Sequence, residues 1–311
     1  MSEAGREAGS PGCDRPKGDT GRREWHAFDN IELRITGFFM GMTTGAGKFL
    51  AGLAFAVLLP TVAEAAQCGN NASGFEQWKQ DFKQEAVGNG IKASTVDKAF
   101  ASVRYATATI RADRGQRSFK LSFEQFMQKR GGQAIIRRGK SLKKQNAALF
   151  DRIEARYGVP AGPLLAIWGM ETGFGGFLGK EHTISAVATL AYDCRRSDFF
   201  TNQLYATLKL VERGSLAINA RGAAHGEIGQ TQFLPANVLK YGVDGDGNGR
   251  VDLVGSKADA LASTANFLRG HGWRAGGGYQ PGESNYGAIQ GWNAASVYQR
   301  AIAVIGAEID R

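Results

Sequence analysis

The chain has 311 residues, 43% of them hydrophobic, which is enough apolar material to bury a core in one or two domains. Its 38 Lys and Arg outnumber 29 Asp and Glu, giving a net charge of +9 that suits a polyanionic partner such as nucleic acid, anionic lipid or an acidic cell-wall polymer. The basic runs Lys129-Arg130 and Arg137-Arg138-Gly-Lys140 are too short for a nucleic-acid arm, so nucleic acid is excluded as the expected partner.

In chain order, the first 66 residues hold seven Lys and Arg against eight Asp and Glu, so the positive surplus lies beyond them. Phe49 to Ala63 is an apolar run preceded by Lys48 and followed by Ala63-Glu-Ala65, the layout of a secretory signal peptide. Pro60 interrupts it, and it falls short of the roughly 20 residues of a membrane span, so no span is expected once the signal is removed. Met40 or Met42 is the start that suits such a signal. Residues 1–39 then read as a non-native or unstructured leader, 40–66 as the signal peptide and 67–311 as one exported domain. Cys13 falls in the leader. Cys68 and Cys194 remain, a number compatible with one disulfide in an oxidising compartment. Gln67 stands where a lipoprotein cleavage box needs a small residue, so lipid attachment at Cys68 is the weaker option.

The exported part reads as a string of helices. Phe75, Trp78, Phe82 and Ala86 fall at helical spacing before Gly88 and Gly90. Ser94 or Thr95 is the expected cap of a helix burying Val96, Ala99, Phe100 and Val103. Ser141 opens a helix carrying Leu149, Phe150, Ile153 and Tyr157, closed by Gly158 and Pro160. Gly162 to Met170 is apolar throughout and predicts a short buried helix. Further helices start at Thr183, Ser197, Ser256 and Ser296. Strand signals are limited to short pieces around Val243 to Val254. The predicted fold class is mainly α with a minor β component, in one domain.

Four segments carry chemistry. In Ala166-Ile-Trp-Gly-Met-Glu171-Thr-Gly-Phe-Gly-Gly-Phe-Leu-Gly-Lys180, Glu171 sits between the apolar helix and a glycine-dense loop. A carboxyl there loses hydration and its pKa should rise, the way a protein obtains a general acid near neutral pH. The alternative is a helix-terminal Glu turned towards water. Arg221-Gly-Ala-Ala-His-Gly-Glu227-Ile-Gly-Gln-Thr-Gln232-Phe-Leu-Pro235 is a glycine-rich loop in which Gln232 can both donate to and accept from sugar hydroxyl or acetamido groups. The stretches Ala265-Asn-Phe267-Leu-Arg-Gly-His-Gly-Trp273 and Gly291-Trp292-Asn293-Ala-Ala-Ser-Val-Tyr298 each join aromatics to amides, a mixture that grips sugar faces and hydroxyls.

Together, from about Phe75 to Ile305, these segments resemble the membrane-bound lytic transglycosylase B family of peptidoglycan-cleaving enzymes. The resemblance implies a lysozyme-like helical catalytic domain in the periplasm, a monomer acting on peptidoglycan glycan strands, with no cofactor required for chemistry. It implies Glu171 as the single catalytic acid and Gln232, Asn293, Tyr298, Arg195 and Arg196 as saccharide contacts. Phe267 and Trp292 fall at substrate-binding positions where the family has tyrosines, and Ala223 where it has a hydroxyl. The implied reaction cleaves the bond between N-acetylmuramic acid and N-acetylglucosamine and leaves a 1,6-anhydro sugar. A hydrolytic muramidase on the same fold and a non-catalytic glycan-binding protein are the rival readings. Most glycosidases use two carboxylates; Glu181, Asp193, Asp198 and Glu227 lie nearest the motif segments in sequence.

Asp244-Gly-Asp246-Gly-Asn248-Gly-Arg250-Val-Asp252 follows calcium-loop spacing at positions 1, 3, 5, 6 and 9, with the Arg250 carbonyl at position 7. Position 12 holds Gly255 in place of Glu. Asp259 is the next ligand candidate, in a longer loop that the resemblance also suggests. A structural calcium is one expectation for this segment and a solvated Asp/Gly turn the other.

Overall fold

The computed structural model describes residues 66–115 and 121–311. The expected leader and the signal-like segment up to residue 65 lie outside the described residues. Among the described residues thirteen α-helices follow a short 3₁₀ turn at Ala72–Gly74. They are α1 (Phe75–Gly88), α2 (Ala93–Phe100), α3 (Thr107–Arg114), α4 (Phe123–Arg130), α5 (Gly132–Gln145), α6 (Ala147–Tyr157) and α7 (Ala161–Thr172), then α8 (Thr183–Tyr192), α9 (Ser197–Glu212), α10 (Pro235–Tyr241), α11 (Lys257–Gly270), α12 (Tyr286–Trp292) and α13 (Ser296–Asp310). β1 (Glu181–His182) and β2 (Arg221–Gly222) pair antiparallel, with Glu181 opposite Gly222 and His182 opposite Arg221. Among the described residues no helix is long and apolar enough to cross a membrane.

Two apolar clusters organise the helices. In one, Phe75, Trp78 and Phe82 of α1 stack in sequence and meet Phe100 of α2 and Tyr192 of α8. The other centres on α7, whose residues from Ala161 to Met170 are all buried, against α5, α11 and α13. Each fully buried Leu or Ile there contributes about 1.5–3 kcal/mol. The approach of α7 to α13 depends on small residues: a Cβ on Gly162 would lie 2.3 Å from the Gly306 carbonyl oxygen. That contact admits only glycine without a backbone shift.

Local chemistry sets the helix ends, and three sequence expectations change for that reason. α2 starts at Ala93 because the Lys92 carbonyl accepts from the Thr95 and Val96 amides, so neither Ser94 nor Thr95 caps it. The helix expected to open at Ser141 is two helices. Asn146 leaves helical geometry (φ −121°) and its side-chain amide donates back to the Leu142 carbonyl at 2.9 Å, ending α5 before α6 starts. The strand pieces expected at Val243 to Val254 do not form. There the backbone amides are claimed by Asp side chains, Asp244 alone accepting from Gly247, Asn248 and Gly249, which leaves no ladder to build. The strand pair lies instead at β1 and β2.

Cys68 and Cys194 form a disulfide across 126 residues, beside a parallel bridge between Gly69 and Asp193. It ties the segment before α1 to the turn before α9. Cross-linking a loop of this size removes unfolded-state entropy equivalent to roughly 5 kcal/mol in the chain-entropy model. A Cys68→Ser, Cys194→Ser double variant is therefore expected to show a lower urea midpoint, by a loss of about 2–5 kcal/mol. Superimposable denaturation curves would show that the tether contributes nothing to stability.

Candidate functional site

Glu171 lies in the last turn of α7, and Gly173 in left-handed geometry (φ 59°) ends the helix after Thr172. The buried apolar stripe of α7 thereby delivers one carboxyl to the rim of a cleft of about 410 Å³. Phe200 of α9, the loop residues Ala223, His225, Glu227, Gln232 and Phe233, Phe267 of α11 and the end of α12 line the same cleft. Two donors converge on one oxygen of Glu171: Tyr298 donates its hydroxyl to Oε1 at 2.8 Å, and Trp292 its indole N–H to Oε1 at 3.2 Å. Phe233 and Phe267 pack edge-on against Trp292 and hold it there. Behind them Arg130 lies over the Phe126 and Tyr298 rings and donates to the Met170 carbonyl at 3.4 Å.

Enclosure dominates the electrostatics. Desolvation raises the Glu171 pKa from 4.5 to about 7, against the opposing hydrogen bonds of Tyr298 and Trp292 and the charge of Arg130; the negative Glu227 reinforces the rise. Burial, and then the charge of Glu171, push the Tyr298 hydroxyl well above its ordinary value, so it stays a donor. Glu227 behaves oppositely. Burial pulls it up, but hydrogen bonding to and charge from His225 outweigh this and hold its carboxyl below the ordinary value.

The backbone is unusual at two points. Among the described residues only Phe174 (φ 64°) and Gln232 (φ 56°) adopt positive φ without being glycine. Such geometry costs about 1–3 kcal/mol and persists where its surroundings enforce it. Phe174 is held edge-on by Trp168. Gln232 donates its side-chain NH₂ to the Gly229 carbonyl at 2.8 Å and the Leu178 carbonyl at 3.3 Å. The carbonyl end of its amide is thus the group it can offer a ligand.

The sequence-derived site residues separate into groups. Glu171, Arg196, Gln232, Phe267, Trp292 and Asn293 line the cleft. Tyr298 is buried against Glu171, behind the cleft surface. Arg195 and Arg196 both pair with Asp113, which is only 2% exposed. Arg196 also stacks over Phe200 and keeps a buried Nε–H with no hydrogen-bond partner, whereas Arg195 does not line the cleft. Of the four neighbouring carboxylates only Glu227 reaches the cleft. Glu181 is in β1, Asp193 pairs with Arg114 at 2.6 Å and Asp198 is exposed. Sequence reasoning missed Asp113, His225 and the aromatic Phe199, which stands 46% exposed on the cleft wall. The dipeptide Phe199-Phe200 carried a signal, because a helical pattern buries one of two adjacent aromatics and leaves the other outside.

A second acidic group lies apart from the cleft. Oxygens of Asp244, Asp246 and Asp259 fall within 4.8 Å of one another. Asp259 is fully buried in the first turn of α11 and accepts from the amides of Gly245, Asp246 and Asp252. The Asn248 side-chain oxygen accepts from the Arg250 amide at 2.9 Å, and the Arg250 guanidinium lies 3.5 Å from Asp252. Amide donors, that of Gly249 foremost, hold the Asp244 carboxyl below its ordinary value. Three anionic carboxylates this close repel each other, and a hard cation with oxygen ligands fits the group.

Residues 74–282 match the family described as the transglycosylase SLT domain. Membrane-bound lytic murein transglycosylase B of Escherichia coli is 34% identical over 122 residues, or 39% of this chain; the chain spans about a third of that relative's length (34%). SltB3 of Pseudomonas aeruginosa, solved in complex with NAG-anhNAM-pentapeptide, is 31% identical, with a TM-score of 0.72 over 76% of this chain and 79% of SltB3. The Escherichia coli lytic transglycosylase Slt35, solved in complex with calcium, shares the fold at 20% identity, with a TM-score of 0.66 over 79% of this chain and 96% of Slt35.

The raised Glu171 pKa is also a statement about stability. The folded carboxyl holds its proton up to about pH 7, while the unfolded one releases it near 4.5. The cost of enclosing the charged form is absent below pH 4.5, grows across that window and is complete above 7, reaching about 3 kcal/mol at roughly 1.4 kcal/mol per pH unit. Glu171→Gln is therefore expected to raise the melting temperature at pH 8 and leave it unchanged at pH 4. Calorimetry at the two pH values checks this; an equal effect at both would contradict an enclosed carboxyl.

Proposed function

The chain belongs to the transglycosylase SLT domain family, and on that premise we propose that it cleaves the β-1,4 bond between N-acetylmuramic acid and N-acetylglucosamine in peptidoglycan, with Glu171 as the single acid and base. The observation that carries this reading is the convergence of Tyr298 and Trp292 on Oε1 of a carboxyl whose pKa is raised to about 7. With Oε1 occupied as an acceptor, the proton resides on Oε2. Oε2–H protonates the glycosidic oxygen as the C1–O bond breaks, its electron pair leaving with the N-acetylglucosamine. The 6-hydroxyl oxygen of the same muramic residue bonds to C1, and its proton returns to Glu171. The product is a 1,6-anhydro sugar and the enzyme is reset. The 6-hydroxyl needs no second carboxylate because an intramolecular nucleophile acts at effective concentrations up to about 10⁵ M or more.

Arg196, Asn293 and the Gln232 carbonyl supply polar contacts to the glycan. Phe199 supplies an apolar face for a sugar ring. Arg195 reinforces Asp113 and so supports Arg196 from behind. The anionic glycan accords with the net charge of +9, and the signal-like segment together with the disulfide supports export to the periplasm. A non-catalytic glycan binder has no use for a carboxyl held protonated at this cost.

In the acidic loop, Asp244, Asp246, Asn248, Asp259 and the Arg250 carbonyl would hold a calcium ion. The ion would neutralise the three carboxylates and brace the loop against α11; the cleavage chemistry needs no metal.

Three outcomes are expected. Glu171→Gln should remove turnover of purified sacculi by at least about a hundredfold while glycan binding persists. Activity retained by a folded variant would move the acid elsewhere. In the wild type kcat/KM should fall as pH rises through about 7, the protonated form being the active one. Tyr298→Phe, which removes a donor to the ionised carboxylate, should shift that limb to higher pH, and an unshifted limb would detach Tyr298 from the acid. Chelator should lower the melting temperature, since calcium binds only the folded form, and Asp259→Ala should abolish the difference. Loss of turnover in chelated but folded protein would contradict a purely structural ion.

A further inference from the structure

Glu227 has no part in the cleavage just described, yet it is the second carboxylate of the cleft that holds Glu171. Its position is fixed by one residue. Oε2 accepts from the His225 backbone amide at 3.0 Å, and Oε1 lies 3.3 Å from His225 Nδ1. The imidazole extends towards Asp113, with Nε2 3.7 Å from Oδ1, and Asp113 is itself held by Arg195 and Arg196. The Glu227 side chain remains 24% exposed, and each carboxylate oxygen keeps accepting capacity beyond its bond to His225. The result is an anchored carboxylate that solvent can reach, in the same cleft as a protonated one. This is the pair of roles that hydrolytic glycosidases divide between an acid and a base for water. A structural tie for a surface loop would need neither the cleft position nor the connection through His225.

We infer that Glu227 is a catalytic base for water and opens a hydrolytic branch of the same cleavage. The inference rests on the proposed peptidoglycan cleavage at Glu171 and adds a second product to it. In this branch Glu171 again protonates the glycosidic oxygen and the C1–O bond breaks, the electron pair leaving with the departing sugar. A water oxygen bonds to C1 in place of the 6-hydroxyl and gives one proton to Glu227. Glu227 passes that proton to solvent and Glu171 regains one from solvent, so the net change is one water consumed and one reducing N-acetylmuramic end formed. The 6-hydroxyl keeps its intramolecular advantage, and the hydrolytic product is the minor one.

The test uses sacculi reduced with borohydride beforehand, so that existing chain ends are alcohols and every reducing end found afterwards is new. Products are counted by mass spectrometry, where an anhydro end is lighter than a reducing end by one water. The wild type is expected to give both ends, with reducing ends in the minority. Glu227→Gln, which keeps the shape and an acceptor for the His225 amide, should cut the ratio of reducing to anhydro ends about tenfold or more, a ratio that a change in the overall cleavage rate does not move. Wild-type products with anhydro ends alone overturn the inference and leave the transglycosylase reading intact; this arm needs no variant and decides the question even if Glu227→Gln fails to fold. Equal losses of both ends in a folded Glu227→Gln protein also overturn it, since that is the signature of a structural role. No cleavage by folded wild type overturns both readings.

Discussion

A carboxyl group largely stripped of water, at the cleft end of a helix buried up to Met170, is the constraint around which the rest of this structure is arranged. α7 is apolar from Ala161 to Met170 and has no solvent face. Its position is therefore fixed by packing on all sides, against α13 through the Gly162–Gly306 contact and against α5. The residue that follows this buried run, still in the last turn of α7, inherits that rigidity. Glu171 is thus delivered to the cleft with little freedom to turn towards solvent, and the desolvation that raises its pKa follows from the packing.

Retaining such a group asks for compensation, and the structure supplies it asymmetrically. Both donors, Tyr298 and Trp292, reach the same oxygen. Two donors on Oε1 favour the ionised form, offset part of the desolvation and distinguish the two oxygens; in the proposed cleavage Oε2 carries the proton. Trp292 is notable here because the family resemblance leads to a tyrosine at this position. The indole N–H is a donor only, so Trp292 donates to the carboxylate but lacks the accepting lone pairs of a hydroxyl. The positive φ of Gln232 belongs to the same economy of position, with local strain accepted where the loop must lie against the cleft.

Another part of the cleft lining is built on charge. Asp113 is buried beneath Arg195 and Arg196 and extends through His225 to Glu227. Buried carboxylates survive when paired and hydrogen-bonded, and each carboxylate of this cluster has a basic group beside it. The cleft therefore has one wall that keeps a carboxyl neutral and another that keeps one ionised. That separation of pKa values is the usual mark of divided acid and base roles. The acidic loop at residues 244–259 follows the same rule by another route, with Asp259 buried but accepting from three backbone amides.

By itself the sequence determined the helices with strong periodicity, such as those containing Phe75, Trp78 and Phe82 or Leu149 and Ile153. It also determined the segment that holds Glu171, the two cysteines available to pair and the carboxylate spacing of the Asp244 loop. These are local properties, set within a few residues by side-chain period, glycine punctuation and turn chemistry. Short elements escaped it, α3, α4, α10 and α12 having too few turns for a period to stand out, as did the part of α5 before Ser141; the strand pair β1–β2 joins residues 41 and 39 apart in the chain. Only the tertiary structure decided what surrounds each charge. Trp292 and Tyr298 lie 121 and 127 residues from the carboxyl they contact, and Asp113 lies 82 and 83 residues from the arginines it holds. Glu227 entered the cleft while Glu181, Asp193 and Asp198 did not. The pKa of a buried group is a sum over neighbours in space, and no local pattern in the chain contains that sum.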